Sequence, residues 1–280
     1  MTSTSKADIQ RLIVQAIETV KQKNPMVGSI TNSVTINFVA NAQIAVGGSA
    51  AMVYMPDEGE LLANVSGAVY INAGTLFPIY EQTLPRTARV LHEIGKPWVL
   101  DPVAVGIGEL RTDLLRQFKD YKPSVIRGNP SEIIALAGLW GLNGGTEKSK
   151  ARGVDSTDSV MSAKVAAISL ANWTGGAVAV SGRTDLVTDG SILALSYGGS
   201  HLMNKITGAG CSLGGVVAVY ASVTSPFIAA LAGTAVYNLA SGRAEHQVRG
   251  PGSFQNAFLD ELYNAAAVDI ANNPFDIGNV

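Results

Sequence analysis

Residues Lys205–Gly215 read Lys-Ile-Thr-Gly-Ala-Gly-Cys-Ser-Leu-Gly-Gly and run without a break into the apolar Val216-Val217-Ala218-Val219-Tyr220. Gly208 and Gly210 permit backbone conformations that other residues resist. A helix that starts in such a bend turns its unpaired N–H groups and the positive end of its dipole inward, which suits an anion and phosphate above all. Gly208, Ala209 and Gly210 are therefore candidates for holding a charged group. Cys211 stands at the helix start, where a thiol tends to acidify. The same stretch would serve as a tight turn before a buried helix, and both readings stand at this point. It is not a P-loop, since no Gly-Lys-Ser/Thr follows. It also misses the dinucleotide fingerprint, because the third glycine falls one position late, at Gly214.

A second set of polar groups recurs at the ends of short apolar runs: Asn32, Asn72, Asp101, Arg127-Gly128-Asn129, Ser181 and Asp189. Each has a local explanation. Asn129 is a good N-cap, and Asp101 before Pro102 is a common turn. Their recurrence after successive strands gives them weight, because open α/β sheets bind ligands beyond the carboxyl ends of their strands. Met52 follows an apolar strand and reads as core. Lys148, Lys150 and Arg152 lie in the polar, glycine-rich stretch 141–155 and read as solvated charges on a mobile loop. His92-Glu93 lacks the second histidine of a zinc protease motif, the three histidines are scattered on expected surfaces, and no Gly-x-Ser-x-Gly elbow exists.

The elements that must position these groups alternate between helix and strand. Apolar periodicity and capping residues predict helices over 6–23, 34–46, 57–64, 78–94, 111–118, 130–139, 157–172, 212–222, 226–245 and 253–270. Strands are predicted over 26–30, 50–55, 68–72, 97–100, 124–126, 177–180, 186–188 and 192–195. This alternation implies an α/β fold with a mostly parallel central sheet and helices on both faces. With no repeats, linkers or low-complexity tracts, residues 1–280 read as a single domain.

Composition narrows the function. Of the 280 residues, 47% are hydrophobic and 15% charged, enough apolar material for a large core and for buried subunit interfaces. A net charge of −2 gives no reason to expect nucleic acid or an anionic membrane as partner. One cysteine permits no internal disulfide and no cysteine zinc cluster. No apolar run is long enough to span a membrane, and the polar N-terminus has no signal-peptide pattern. A cytoplasmic protein is the expectation.

The residues together resemble the hydroxyethylthiazole kinase family of the ribokinase-like superfamily. The carriers run from about Met26 to Leu262: Ser29-Ile30-Thr31-Asn32 with Asn37-Phe38, Ala51-Met52-Val53-Tyr54, Asn72-Ala73-Gly74-Thr75-Leu76, Val99-Leu100-Asp101-Pro102-Val103, Ile126-Arg127-Gly128-Asn129 with Glu132, Val180-Ser181-Gly182, Ile206–Cys211, and Gly250-Pro251-Gly252-Ser253-Phe254-Gln255. The resemblance implies a ribokinase-like fold and transfer of phosphoryl from ATP to the hydroxyl of 4-methyl-5-(2-hydroxyethyl)thiazole, in thiamine salvage. It puts ATP contacts on Arg127 and on Ser181, where many members carry threonine, and the strand-end residues Asn32 and Asp101 join them. Thiazole contacts fall on Met52 and Gly208. Glu132, with Asp101, would organise Mg²⁺ through water. Gly208, Ala209 and Gly210 would hold the transferring phosphoryl. Cys211 stands where the superfamily's sugar kinases carry the aspartate base. The family forms homotrimers with sites at subunit interfaces. Two departures bear on specificity: Gly28 replaces a common histidine, where it would reshape the alcohol's surroundings, and Ala104-Val105-Gly106 replaces Gly-Ala-Gly. A kinase for another alcohol, such as a pyrimidine methanol, and a non-catalytic binding protein of the same fold are the competing readings.

Overall fold

The computed structural model describes residues 5–146 and 159–280. Lys148, Lys150 and Arg152, and the start of the helix expected from 157, lie outside the described residues. Helix α1 (Lys6–Lys23) opens on a reciprocal cap between Ser5 and Asp8 and buries the stripe Ile9, Ile13, Ala16, Ile17 and Val20. Then follow β1 (Met26–Ile30), α2 (Ile36–Ala45), β2 (Ser49–Met52), α3 (Pro56–Val65), β3 (Ala68–Asn72), α4 (Tyr80–Glu93), β4 (Trp98–Asp101), α5 (Glu109–Tyr121), β5 (Val125–Gly128) and α6 (Pro130–Leu139). A 3₁₀ turn at Val160–Ala163 leads into α7 (Lys164–Thr174), and β6 (Ala177–Val180), β7 (Asp185–Thr188) and β8 (Ile192–Ser196) form a meander. The chain ends with α8 (Ala209–Ala221), α9 (Pro226–Glu245), α10 (Pro251–Asn264), α11 (Ala267–Ala271) and β9 (Phe275–Asn279).

The strands make one sheet in the order β2-β1-β3-β4-β5-β6-β7-β8-β9. Strands β2 through β6 are parallel, and β7, β8 and β9 join by antiparallel pairing. Alternate residues of each strand enter different cores, as the two-residue period of a strand requires. Tyr70, Val99, Val125 and Ala179 belong to the core built with α1, α2, α8, α9 and α10, while Ile71, Leu100, Ile126 and Val180 belong to the core built with α4, α5, α6 and α7. Helices thus cover both faces, as expected.

Three expectations are corrected. The helix expected over 253–270 is two helices, broken at Ala265 and Ala266, whose backbones are extended (ψ 121° and 145°). Strand β9 has no counterpart in the sequence reading. Its Phe-Asp-Ile-Gly-Asn is a partly exposed edge with only Phe275 buried, so it lacks a core strand's apolar pattern. The helix expected from 34 begins at Ile36 with Thr35 as N-cap. Asn32, just beyond β1, is turned toward Asn72.

Candidate active site

The same alternation that builds the cores delivers the site. Two residues beyond Tyr70, Val99, Val125 and Ala179 stand Asn72, Asp101, Arg127 and Ser181, on the α8 face and at the carboxyl ends of adjacent strands. Asp101 is fully buried. Its Oδ2 accepts hydrogen bonds from the Tyr70 hydroxyl and the Asn72 amide, both at 3.0 Å, and lies 3.5 Å from Arg127 Nη1. Arg127 Nη2 donates to Ser181 Oγ at 3.0 Å. Asn32 donates to Asn72 Oδ1 at 2.9 Å and reaches Cys211 Sγ at 3.5 Å. One network therefore joins Asn32, Asp101, Arg127, Ser181 and Cys211.

The glycine turn closes over this network. Gly208 has φ +89° and is the N-cap of α8, with the first helical bond running from Ser212 N–H to its carbonyl at 2.8 Å. The amides of Ala209, Gly210 and Cys211 precede that bond and have no partner within the helix. A Cβ on Gly210 would lie 2.5 Å from Arg127 Nη1, and one on Gly214 would lie 2.5 Å from the Tyr70 ring. Glycine at 214 lets the helix lie against the Tyr70 ring, and glycine at 210 leaves room for the guanidinium. The result is a helix N-terminus with a guanidinium against its first turn, a combination that attracts anions.

Glu132 is held from two sides. It forms a reciprocal cap with Asn129, and its other oxygen accepts the Ala104 N–H at 3.2 Å. Burial pushes the Glu132 and Asp101 carboxyls up, and each is drawn back by Arg127. Burial pulls the Arg127 guanidinium down, but the charges of Asp101 and Glu132 outweigh it, so the cation is secured. Val103 and Ala104 both have positive φ, 25° and 55°, a conformation that favours glycine. A glycine at 104, as the family resemblance expects, would take this turn without strain. The alanine keeps the left-handed turn, at some cost in strain.

No group of three or more His, Cys, Asp or Glu among the described residues could cage a metal ion. Asp101 Oδ1 is buried without a hydrogen-bond partner among the described residues. An oxygen left open beside an anion-binding turn fits Mg²⁺, which usually keeps its waters and bridges one or two carboxylates to phosphates.

Two expectations fail: the acidity of the Cys211 thiol and the place of Asp189. The Cys211 thiol is not acidified: burial and the Asp101 charge push it up, against Arg127. Asp189 caps the β7–β8 hairpin through the Ser191 and Ile192 amides, at the opposite sheet edge. Gly28 lies mid-strand under α3, where a Cβ would meet Leu62 at 2.9 Å, so a side chain there would press on the packing of α3. Met52 is half-buried at the end of edge strand β2, outside the hydrogen-bonded network. All three histidines are exposed. The reading of the sequence missed Tyr70 as a participant, although its place two residues before Asn72 puts it on the same face.

A sequence profile described as "Hydroxyethylthiazole kinase family" matches residues 17–267. The chain belongs to the hydroxyethylthiazole kinase family. It is 50% identical to a hydroxyethylthiazole kinase of Bifidobacterium adolescentis, with 96% of this chain and 95% of that protein covered. It is 49% identical to one from Bifidobacterium longum subsp. infantis, with 93% and 89% covered. The solved hydroxyethylthiazole kinase protein of Pyrococcus horikoshii OT3 superposes with a TM-score of 0.84 at 29% identity, covering 96% of this chain and 99% of that one. A ribokinase-like superfamily protein from Enterococcus faecalis, at 15% identity and a TM-score of 0.61, shares the fold, covering 93% of this chain and 94% of that one. The fold is thus ribokinase-like. No described helix is long and apolar enough to cross a membrane.

Proposed function

We propose that the protein transfers the γ-phosphoryl group of ATP to the hydroxyl of 4-methyl-5-(2-hydroxyethyl)thiazole, as a step of thiamine salvage. The observation that carries this reading is the Arg127 guanidinium packed against Gly210 at the first turn of α8. Phosphoryl transfer asks mainly for in-line positioning and charge neutralisation. The Gly208–Cys211 turn presents amides to the phosphoryl oxygens, and Arg127, fixed by Ser181 and Asp101, neutralises their charge. Asn32 and Ser181 hold the nucleotide's phosphates beside it. Mg²⁺, held by Asp101 and Glu132 through water, would supply further neutralisation of phosphate charge. Cys211 enters as a neutral thiol and takes no proton from the alcohol; in a loose transition state the hydroxyl proton leaves late, to an oxygen of the transferred phosphoryl or to water.

The acceptor alcohol is read as lying beside Gly208. A cleft of about 380 Å³ opens there between Val34, Asn37, Phe38, Lys205, Thr207 and Gln255, a size suited to a small heterocycle. Met52, at the end of β2 and not among the residues lining this cleft, is a further thiazole contact that the family resemblance adds to this reading. Its strand is the sheet's bare edge, and Val34, Ile44, Met55, Leu61 and Val65 are exposed apolar side chains on β2's flanking segments. Such an edge calls for a cover. A homotrimer with shared sites provides it, and light scattering showing a fully active monomer would contradict that part. A single unpaired cysteine and the need for ATP support a cytoplasmic location.

The test is ADP release with a panel of alcohols. Turnover should require the thiazole alcohol, and a pyrimidine methanol should be a poor substitute. Preference for the pyrimidine would reassign the substrate. Binding without turnover of any alcohol would make this a non-catalytic relative.

A further inference from the structure

Asp185 is the first residue of β7, directly after the turn formed by Ser181, Gly182, Arg183 and Thr184. Val180 pairs with Leu186, so this turn rises at the carboxyl edge of the parallel strands, beside Arg127. Asp185 Oδ1 accepts the Gly182 N–H at 3.0 Å, and Oδ2 accepts the Asn238 amide of α9 at 2.9 Å. The same Asn238 amide donates to Ser196 Oγ at 3.2 Å, and the Asn238 carbonyl accepts the Gly199 N–H at 3.2 Å. Ser196 ends β8, which points to the same edge. One Asp–Asn contact thus ties two neighbouring segments, 181–184 and 196–199, to a single helix.

A carboxylate in this place is expensive. Burial pushes Asp185 up to about 6, and among the described residues no arginine or lysine bonds to it, while Arg127 draws it back through space. Arg183, next in the turn, is exposed. An asparagine at 185 would not serve as well. It would set amide against amide, and turning Asn238 over would take the donor from Ser196. Only a group that accepts on both oxygens satisfies Gly182 and Asn238 together. The residue before Gly182 is Ser181, whose hydroxyl holds Arg127.

We propose that Asp185 is a positioning residue for the nucleotide: paired with Asn238, it locks the 181–184 turn to α9, so that Ser181 and Arg127 meet the phosphate chain in register. The proposal rests on the ATP reading above. Loss of the lock should be read in the ATP KM and not in the alcohol KM.

The experiment measures both KM values, kcat and the melting temperature for Asp185→Ala, Asn238→Asp, the double variant Asp185→Asn/Asn238→Asp, and Arg127→Ala. Asp185→Ala and Asn238→Asp, the latter opposing two carboxylates, should each raise the ATP KM by about tenfold or more, the scale of a lost hydrogen bond to a charged group. The alcohol KM should stay within about twofold, since that binding does not use the turn. The double variant restores an amide–carboxylate pair in reverse and should return the ATP KM to within about threefold of the parent. If Asp185→Ala does not fold, Asn238→Asp against the double variant carries the same comparison. An ATP KM unmoved at 185 and 238 but raised in Arg127→Ala overturns this proposal alone. An ATP KM unmoved in Arg127→Ala overturns the ATP reading itself. Both KM values rising together with a lowered melting temperature, and no recovery in the double variant, would assign the pair to the fold and also overturn the proposal.

Discussion

Gly210 and Arg127 are in direct contact: a side chain on the first would fall 2.5 Å from the guanidinium of the second. The anion-binding turn and the cation that serves it are therefore one unit, set by the absence of a single methyl group. Gly210→Ala should displace the guanidinium from Ser181 and Asp101. The expected loss in kcat/KM for ATP is about 10- to 100-fold, the worth of a charge-assisted contact. Kinetics beside a thermal melt would check it, and an unchanged kcat/KM would show that the contact is not functional.

Arg127→Ala should raise the ATP KM and lower kcat. It should also cost stability, on the order of 3–5 kcal/mol, because the buried Asp101 loses its only ion-pair partner among the described residues. Arg127→Lys should recover part of the stability and little of the activity, since an ammonium cannot reach Ser181 and Asp101 through one planar fork. Denaturant titration and steady-state kinetics separate the two effects. Full activity in the lysine variant would reduce Arg127 to a point charge.

Cys211→Ala should lower kcat by no more than about tenfold, well under the usual range for a general base. The reason is the raised thiol: it stays protonated through neutral pH, so no thiolate is present to accept a proton. The rate of the parent should accordingly show no limb from this group below the ordinary thiol range. A collapse of activity in the alanine variant with an unchanged melting temperature would mean that the sulfur does more.

Asp185 gives a pH signature of its own. Its carboxyl is pushed up to about 6 in the fold, above its unfolded value, so the folded protein holds an extra proton between about pH 4 and 6. Stability contributed by that proton is present at low pH and is lost as pH rises through this window. Asp185→Asn should flatten this part of the stability profile relative to the parent. Parallel profiles from pH 4 to 7 would show that burial does not perturb the group.

Much of this was legible from residues alone, and for a common reason. Wherever backbone hydrogen bonding and apolar period decided an element, as in α1, β3 and the Asn129-capped α6, the pattern was local and readable. The strand-end residues Asn32, Asp101, Arg127 and Ser181 converge because parallel strands end on one edge, a consequence of topology. Asp189 failed the same reasoning because β7 runs backwards, and its end lies on the other edge. Strand β9 escaped because an exposed edge carries no core pattern. The thiol was misjudged because a helix terminus alone says nothing of burial or of Asp101 nearby. Contacts such as Gly210 with Arg127, Gly214 with Tyr70, and Asp185 with Asn238 span distant positions in the chain and are set by packing.

The most direct test follows phosphorus through the reaction. The purified protein is incubated with ATP, Mg²⁺ and 4-methyl-5-(2-hydroxyethyl)thiazole, and the mixture is followed by ³¹P NMR. The account predicts a new phosphate monoester resonance that grows in step with ADP and fails to appear at a comparable rate with Arg127→Ala. ADP accompanied only by inorganic phosphate, or no transfer to the thiazole alcohol at all, would contradict it.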